Sequence, residues 1–154
     1  MQPPQNGKKN NVVKTFEDLE CWKACRQLRL LVSKNIVPIL PQHERFRLGD
    51  QLIRAARSTT ANIAEGYGRF HYLDNAKSCS VARGSCWEVL DHLATGHDEG
   101  MITPELLATA REQAGKAIAL LNGYMNYLKR AADPSADKDA KPNHVSRRYQ
   151  SADA

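Results

Sequence analysis

Between Thr15 and Ala132 the apolar and small residues return every three or four positions in four successive runs, and nowhere do they alternate with polar ones. That period belongs to a helix buried along one side, so the expected fold class is all-α. The first run is Leu19, Trp22, Cys25, Leu28, Leu31 and Val32. It is entered through Thr15-Phe16-Glu17-Asp18, where a threonine precedes a carboxylate by three positions in the manner of a capping box. Pro38 and Pro41 close it, because proline disfavours helix in the residue before it and cannot donate to the ladder. A second run starts from Glu44 and comprises Leu48, Leu52, Ala55, Ala56, Thr59 and Ile63; its small residues let a neighbouring helix approach closely. The third is Ala76, Cys79, Ala82, Cys86, Val89 and Leu93. Gly84 lies within it, at a cost of about 1 kcal/mol against alanine, and close packing there is the expected compensation. The fourth is announced by Thr103-Pro104-Glu105, a capping residue, a first-turn proline and an acid at the positive end of the helix. It holds Leu107, Ala110, Ala114, Ala117, Ile118, Leu121, Met125 and Leu128, and ends near Ala132. Four helices with short connections predict an antiparallel up-down-up-down four-helix bundle over 15–132.

The flanking segments, a basic one at 1–14 and a polar, proline-containing one at 133–154, have no periodicity and are expected to be disordered. Arg147-Arg148-Tyr149 in the second is read as part of a solvated tail. A chain of 154 residues with 42% hydrophobic content suits one domain. It has no apolar run near the roughly 18 residues of a membrane span, and its basic start lacks the apolar core of an export signal. The expected location is the cytoplasm, with the cysteines reduced.

Charge is unevenly placed. The formal net charge is +5, yet from Cys21 to Arg83 there are eleven Lys and Arg against four Asp and Glu, while Gly84 to Arg130 holds four against six. A field concentrated in one half of a fold favours polyanionic partners. On the second helix Arg47, Arg54 and Arg57 lie opposite the apolar stripe, with Asp50 four residues before Arg54 and able to pair with it.

Little in the chain suggests catalysis. Asn62, Glu65, Arg69 and Glu88 are polar, and a carboxylate beside an arginine can act as a general acid or base, but no paired constellation accompanies them. There is no HExxH motif and no GK[ST] after the glycines, and His43, His71, His92 and His97 are scattered. Cys21 and Cys25, and Cys79 and Cys86, each return to one helical face, but without the short knuckles of zinc sites. Buried inert thiols are expected, with a thiol or metal site as the alternative. No enzyme, cofactor or metal is expected. In Gly66-Tyr67-Gly68-Arg69, a phosphate cradle would need the amides of a helix start, and these glycines follow a helix end. Gly66 is therefore expected as a left-handed C-terminal cap, with Gly68 letting the chain reverse.

The strings Gln51-Leu52-Ile53-Arg54-Ala55-Ala56-Arg57-Ser58 and Ala61-Asn62-Ile63-Ala64-Glu65-Gly66-Tyr67-Gly68-Arg69 resemble the signature of the bacterial four-helix-bundle family first noticed as products of intervening sequences in 23S ribosomal RNA genes. Phe16, Leu19 and Trp22, Gly84-Ser85 with Glu88, and Gly100-Met101-Ile102 add to the resemblance, which covers Thr15 to Ala131. Thr59-Thr60 departs from the family's frequent aliphatic residue and proline, and Cys86 from its common leucine. The resemblance implies a ring-like homopentamer. A related branch, the accessory variability proteins of diversity-generating retroelements, binds a reverse transcriptase and its template RNA, which makes RNA or DNA and possibly a reverse transcriptase the expected partners. Charge and resemblance together select Arg45, Arg47, Arg54, Arg57, Arg69, Lys77 and Arg83 as candidate phosphate contacts. Tyr67, Phe70 and Tyr72 either stack on unpaired bases or pack in the core or a subunit contact. A ring that holds an acidic protein and never touches nucleic acid is the alternative.

Overall fold

The computed structural model describes residues 12–69, 71–133 and 135, and every regular element among them is helical. The expectations placed on 1–11, Phe70, Pro134 and 136–154 lie outside the described residues. A 3-10 turn, Phe16–Asp18, precedes α1, Glu20–Leu31, which runs on through a π turn, Val32–Ile36, and a 3-10 turn, Val37–Ile39. The single turn α2, Gln42–Arg45, leads into α3, Leu48–Gly68; α4, Tyr72–Asp98, and α5, Pro104–Ala131, follow. α3 packs on α4, α4 on α5, α5 on α1 and α1 on α3, so the four long helices close around one core.

The expected stripes fill that core. Leu28, Val32, Leu52, Ile63, Val89, Leu93, Leu121 and Leu128 are buried, and so is every small residue of the third stripe. Full burial of one such aliphatic side chain is worth about 1.5–3 kcal/mol, which is what makes the period decisive. Trp22, Leu31 and Ile118 sit half-buried at its margins, Trp22 edge-on to Phe16 with 5.4 Å between ring centres. Thr59 and Thr60 are buried with their hydroxyls bonded: Thr59 donates to Ala56 O at 2.7 Å, and Thr60 accepts from Arg29 at 2.6 Å.

Local signals at the helix ends moved some boundaries. Asp18 Oδ2 accepts the amides of Lys14 and Thr15 at 2.8 and 3.1 Å, which holds its carboxyl below the usual range. That cap governs only the 3-10 turn; Leu19 is extended, and α1 begins at Glu20 rather than at Phe16, where the threonine signal pointed. The second run likewise does not start one continuous helix at Glu44, because the chain breaks at Phe46 and Arg47 before α3. At α5 the expectation is met: Thr103 Oγ1 accepts Leu106 N at 3.2 Å, and Pro104 opens the helix.

The glycines required the larger corrections. Gly66 is a buried residue inside α3 and no cap; helix continues through Gly68. A Cβ at Gly66 would lie 2.7 Å from Asn75 Oδ1 and 2.8 Å from Ser78 Cβ, so this glycine is where α3 meets the start of α4. The left-handed glycine is Gly100, with φ 75°, closing α4 while Met101 N donates to Gly96 O at 2.8 Å. Gly84, expected to be tightly packed, is exposed with nothing within 4 Å of its Cβ position.

Candidate nucleic-acid interface

The outer side of α3 is set by its inner side. Burial of Leu52, Ala55, Ala56, Thr59 and Ile63 turns Arg47, Asp50, Arg54, Arg57 and Glu65 to solvent. The Arg47 and Arg54 side chains are 74% and 71% exposed. Arg54 Nη2 is 2.9 Å from Asp50 Oδ2, the i, i+4 pair that the sequence suggested. Arg47 stands 3.7 Å from Glu44. Arg57 is exposed, and its guanidinium has no hydrogen bond or ion pair among the described residues. Exposed pairs such as Arg54–Asp50 contribute about 0.3–0.5 kcal/mol, so a polyanion can draw the arginine away cheaply.

Four of the seven candidate cations are engaged differently. Arg45 donates to Leu40 O at 3.1 Å and Pro38 O at 2.8 Å, tying down the connection before α3. Arg69, at the far end of α3, is bonded to Glu65, and that bond raises its pKa. At 1.5 Å per residue it lies about 30 Å from Arg47. Lys77 is on α4 beside Asp74, at 3.5 Å. Arg83 donates to Asn122 Oδ1 at 2.7 Å across the α4–α5 seam. The structure thus brings Arg54 and Arg57 onto one side of α3, with Arg47 exposed just before its first residue, and disperses the rest.

Two arginines of α1 that were not among the candidates lie on this side of the bundle or close to it in the chain. Arg29 of α1 crosses to α3 through its bond to Thr60, one helical turn beyond Arg57, and Arg26 is exposed one turn before Arg29 on α1. The spacing of these arginines on α1 was readable, but which helix lies beside them was not.

The signature residues bond mainly within their own helices, with one link across α3 and α4. Asn62 donates to Ser58 O at 2.8 Å and to Ser58 Oγ at 2.9 Å, and Ser58 meets Ser85 of α4 at 2.8 Å. Glu88 faces His92 at 3.6 Å. Tyr67 packs partly against the core, whereas Tyr72 is exposed. His97 Nδ1 donates to Ile102 O at 2.8 Å and supports the turn into α5.

All four cysteines are free and buried. Cys25 and Cys86 face each other across the bundle, 3.9 Å between sulfurs. Their hydrogen bond, then burial, raises the Cys25 pKa; burial pushes Cys21 and Cys79 up to about 12. Because the thiolate is the reactive form, a disulfide reagent at pH 8 is expected to label the native protein far more slowly than the unfolded chain, which should titrate four thiols. Rapid labelling before unfolding would place a thiol at the surface. Among the described residues no three His, Cys, Asp or Glu side chains are arranged to hold a metal ion, and no helix is long and apolar enough to cross a membrane.

Fold and surface together define a small helical-bundle protein with exposed arginines along the outside of α3. The chain belongs to the family of 23S rRNA-intervening sequence proteins, whose family model matches residues 17–123. That match takes in α1, α3 and α4 entirely and most of α5. Comparison with curated proteins finds no match.

Proposed function

We propose that this chain is a non-enzymatic, oligomeric accessory protein of the cytoplasm that binds RNA or DNA through the outer face of α3. The observation that carries the reading is the arginine face itself: Arg47 and Arg54 are largely exposed, and Arg57 has no partner among the described residues. Guanidinium groups placed this way suit phosphate, and the resulting affinity is electrostatic and independent of sequence. An antiparallel arrangement is supported by the pairing of Leu48 with Gly96, Ser58 with Ser85 and Gly66 with Ser78, in which one number rises as the other falls. Resemblance to the family supports a ring-like homopentamer, and its related retroelement branch suggests a reverse transcriptase as partner; a reverse transcriptase gene beside a variable repeat in the gene neighbourhood would favour that role.

A second reading, a protein-interaction ring without a nucleic-acid role, is favoured by α4 and α5. Leu73, Val81 and Trp87 are exposed on α4, Trp87 by 58%. Gly84, Gly115 and Gly123 are helical yet have nothing near their Cβ positions, so no packing within the chain offsets their cost of about 1 kcal/mol each. Faces of this kind suit a subunit contact.

A salt titration with labelled RNA and DNA separates the readings. Binding is expected at low salt and should fall linearly in log K against log salt. Absence of binding at low salt would leave only the interaction ring. Light scattering on the same sample is expected to give an oligomer near five subunits, and a stable monomer would remove the ring from both readings.

A further inference from the structure

Phe46, between α2 and α3, is the most exposed large apolar side chain among the described residues, at 82%. The segment around it is pinned: Arg45 bonds Leu40 O and Pro38 O, and Arg47 N donates to Glu44 O at 3.1 Å. A phenyl ring held in water by a bonded turn forgoes the burial it would gain by folding inward. Ile39 is the only other exposed large apolar side chain of this connection, too little for the apolar patch of a protein contact. The charge nearest to it in the chain is mainly positive, with Glu44 3.7 Å from Arg47. Arg45 and Arg47 are its neighbours in the chain, and Arg54 and Arg57 follow about 9 and 14 Å along α3 from Leu48, at 1.5 Å per residue.

We propose that Phe46 stacks on an unpaired nucleobase while Arg47, Arg54 and Arg57 hold the adjoining phosphates, so that the ligand of this face is single-stranded RNA or DNA. The inference rests on the nucleic-acid reading above and specifies its substrate class. Every base has a face on which an aromatic ring can stack without regard to sequence, but in a duplex those faces are covered by their neighbours.

The test is fluorescence anisotropy with labelled single-stranded RNA and DNA oligonucleotides and duplexes of the same sequences. The native protein is expected to prefer the single strands. Phe46→Ala should weaken single-strand binding about fivefold to a hundredfold, leave duplex binding unchanged, and be rescued by Phe46→Trp. Because the side chain is so exposed, the helical circular dichroism of Phe46→Ala should match that of the native protein. If the native protein binds neither form, the nucleic-acid reading itself fails. If it binds single strands and Phe46→Ala binds them equally well, or if duplex is preferred, the stacking role is overturned while that reading stands. Loss of the oligomer in Phe46→Ala, seen by light scattering, would assign the ring to a subunit contact and also overturn the proposal.

Discussion

Gly66→Ala is expected to destabilise the bundle, while the same substitution at Gly84 stabilises it. In α3 the added methyl at Gly66 arrives 2.7 Å from Asn75 Oδ1, 2.8 Å from Ser78 Cβ and 3.1 Å from Asn75 O. Two of those atoms are fixed to the backbone of α4 or one bond from it, so relief requires the helices to part. Overpacking of this kind costs about 1–3 kcal/mol, and the upper part of that range applies where nothing flexible can give way. Alanine's better helix propensity returns about 1 kcal/mol, leaving a net loss of about 1–2 kcal/mol and a Tm lower by several degrees. Asn75 raises the stakes, since it is buried, donates to Tyr124 Oη at 3.0 Å and accepts from Cys79 at 3.5 Å. Displacing it disturbs the join between α4 and α5 as well. Within the chain the Cβ position at Gly84 is open, so the propensity gain of up to about 1 kcal/mol should appear; a loss of stability there would instead place Gly84 in a subunit contact. Parallel thermal and denaturant melts decide the matter: a Gly66→Ala protein as stable as the native one would mean that α3 and α4 do not approach this closely.

The contrast between these glycines shows where the sequence was legible. Leu52, Ile63, Val89 and Leu121 declare their burial through spacing alone, because a 3.6-residue period brings them to one side whatever they face. The same arithmetic applies to Gly84: it stands two positions from both Ala82 and Cys86, hence about 200° from each at 100° per residue, on the outside. Reading it as tightly packed gave too much weight to the cost of glycine and too little to its phase. Gly66 differs, for its role depends on Asn75 and Ser78 in the next helix, and a glycine before a turn looks alike as a cap or as a point of close approach. The candidate site divides in the same way. Arg54 and its Asp50 partner are local and were readable. The attachment of Arg45 to carbonyl oxygens and of Arg83 to Asn122 is tertiary, as is the approach of Arg29 to Thr60, and no count of charges along the chain contains it.

Charge reversal at Arg54 and Arg57 is expected to weaken RNA and DNA binding at least about tenfold at low salt and to lower the slope of log K against log salt by about 1.4 for single strands, about 0.7 for each phosphate that these arginines no longer neutralise. The helix should tolerate the change. Glutamate is a good helix former, and its repulsion with Asp50 at i, i+4 costs only about 0.3–0.5 kcal/mol. Arg57 is exposed, with no bond of its guanidinium to lose among the described residues. A second double reversal, at Lys129 and Arg130 in the last turn of α5, isolates position from charge, because both residues are exposed and the same four units of positive charge are removed. If binding followed net charge alone, both variants would weaken alike, since each strips most of a formal net charge of +5. A local contact predicts otherwise: the α3 variant loses affinity and slope, and the α5 variant keeps nearly all of its slope. Equal losses would remove α3 as the interface and leave only a diffuse field. An α3 variant that binds like the native protein would shift the search to the Arg26 and Arg29 side of α1.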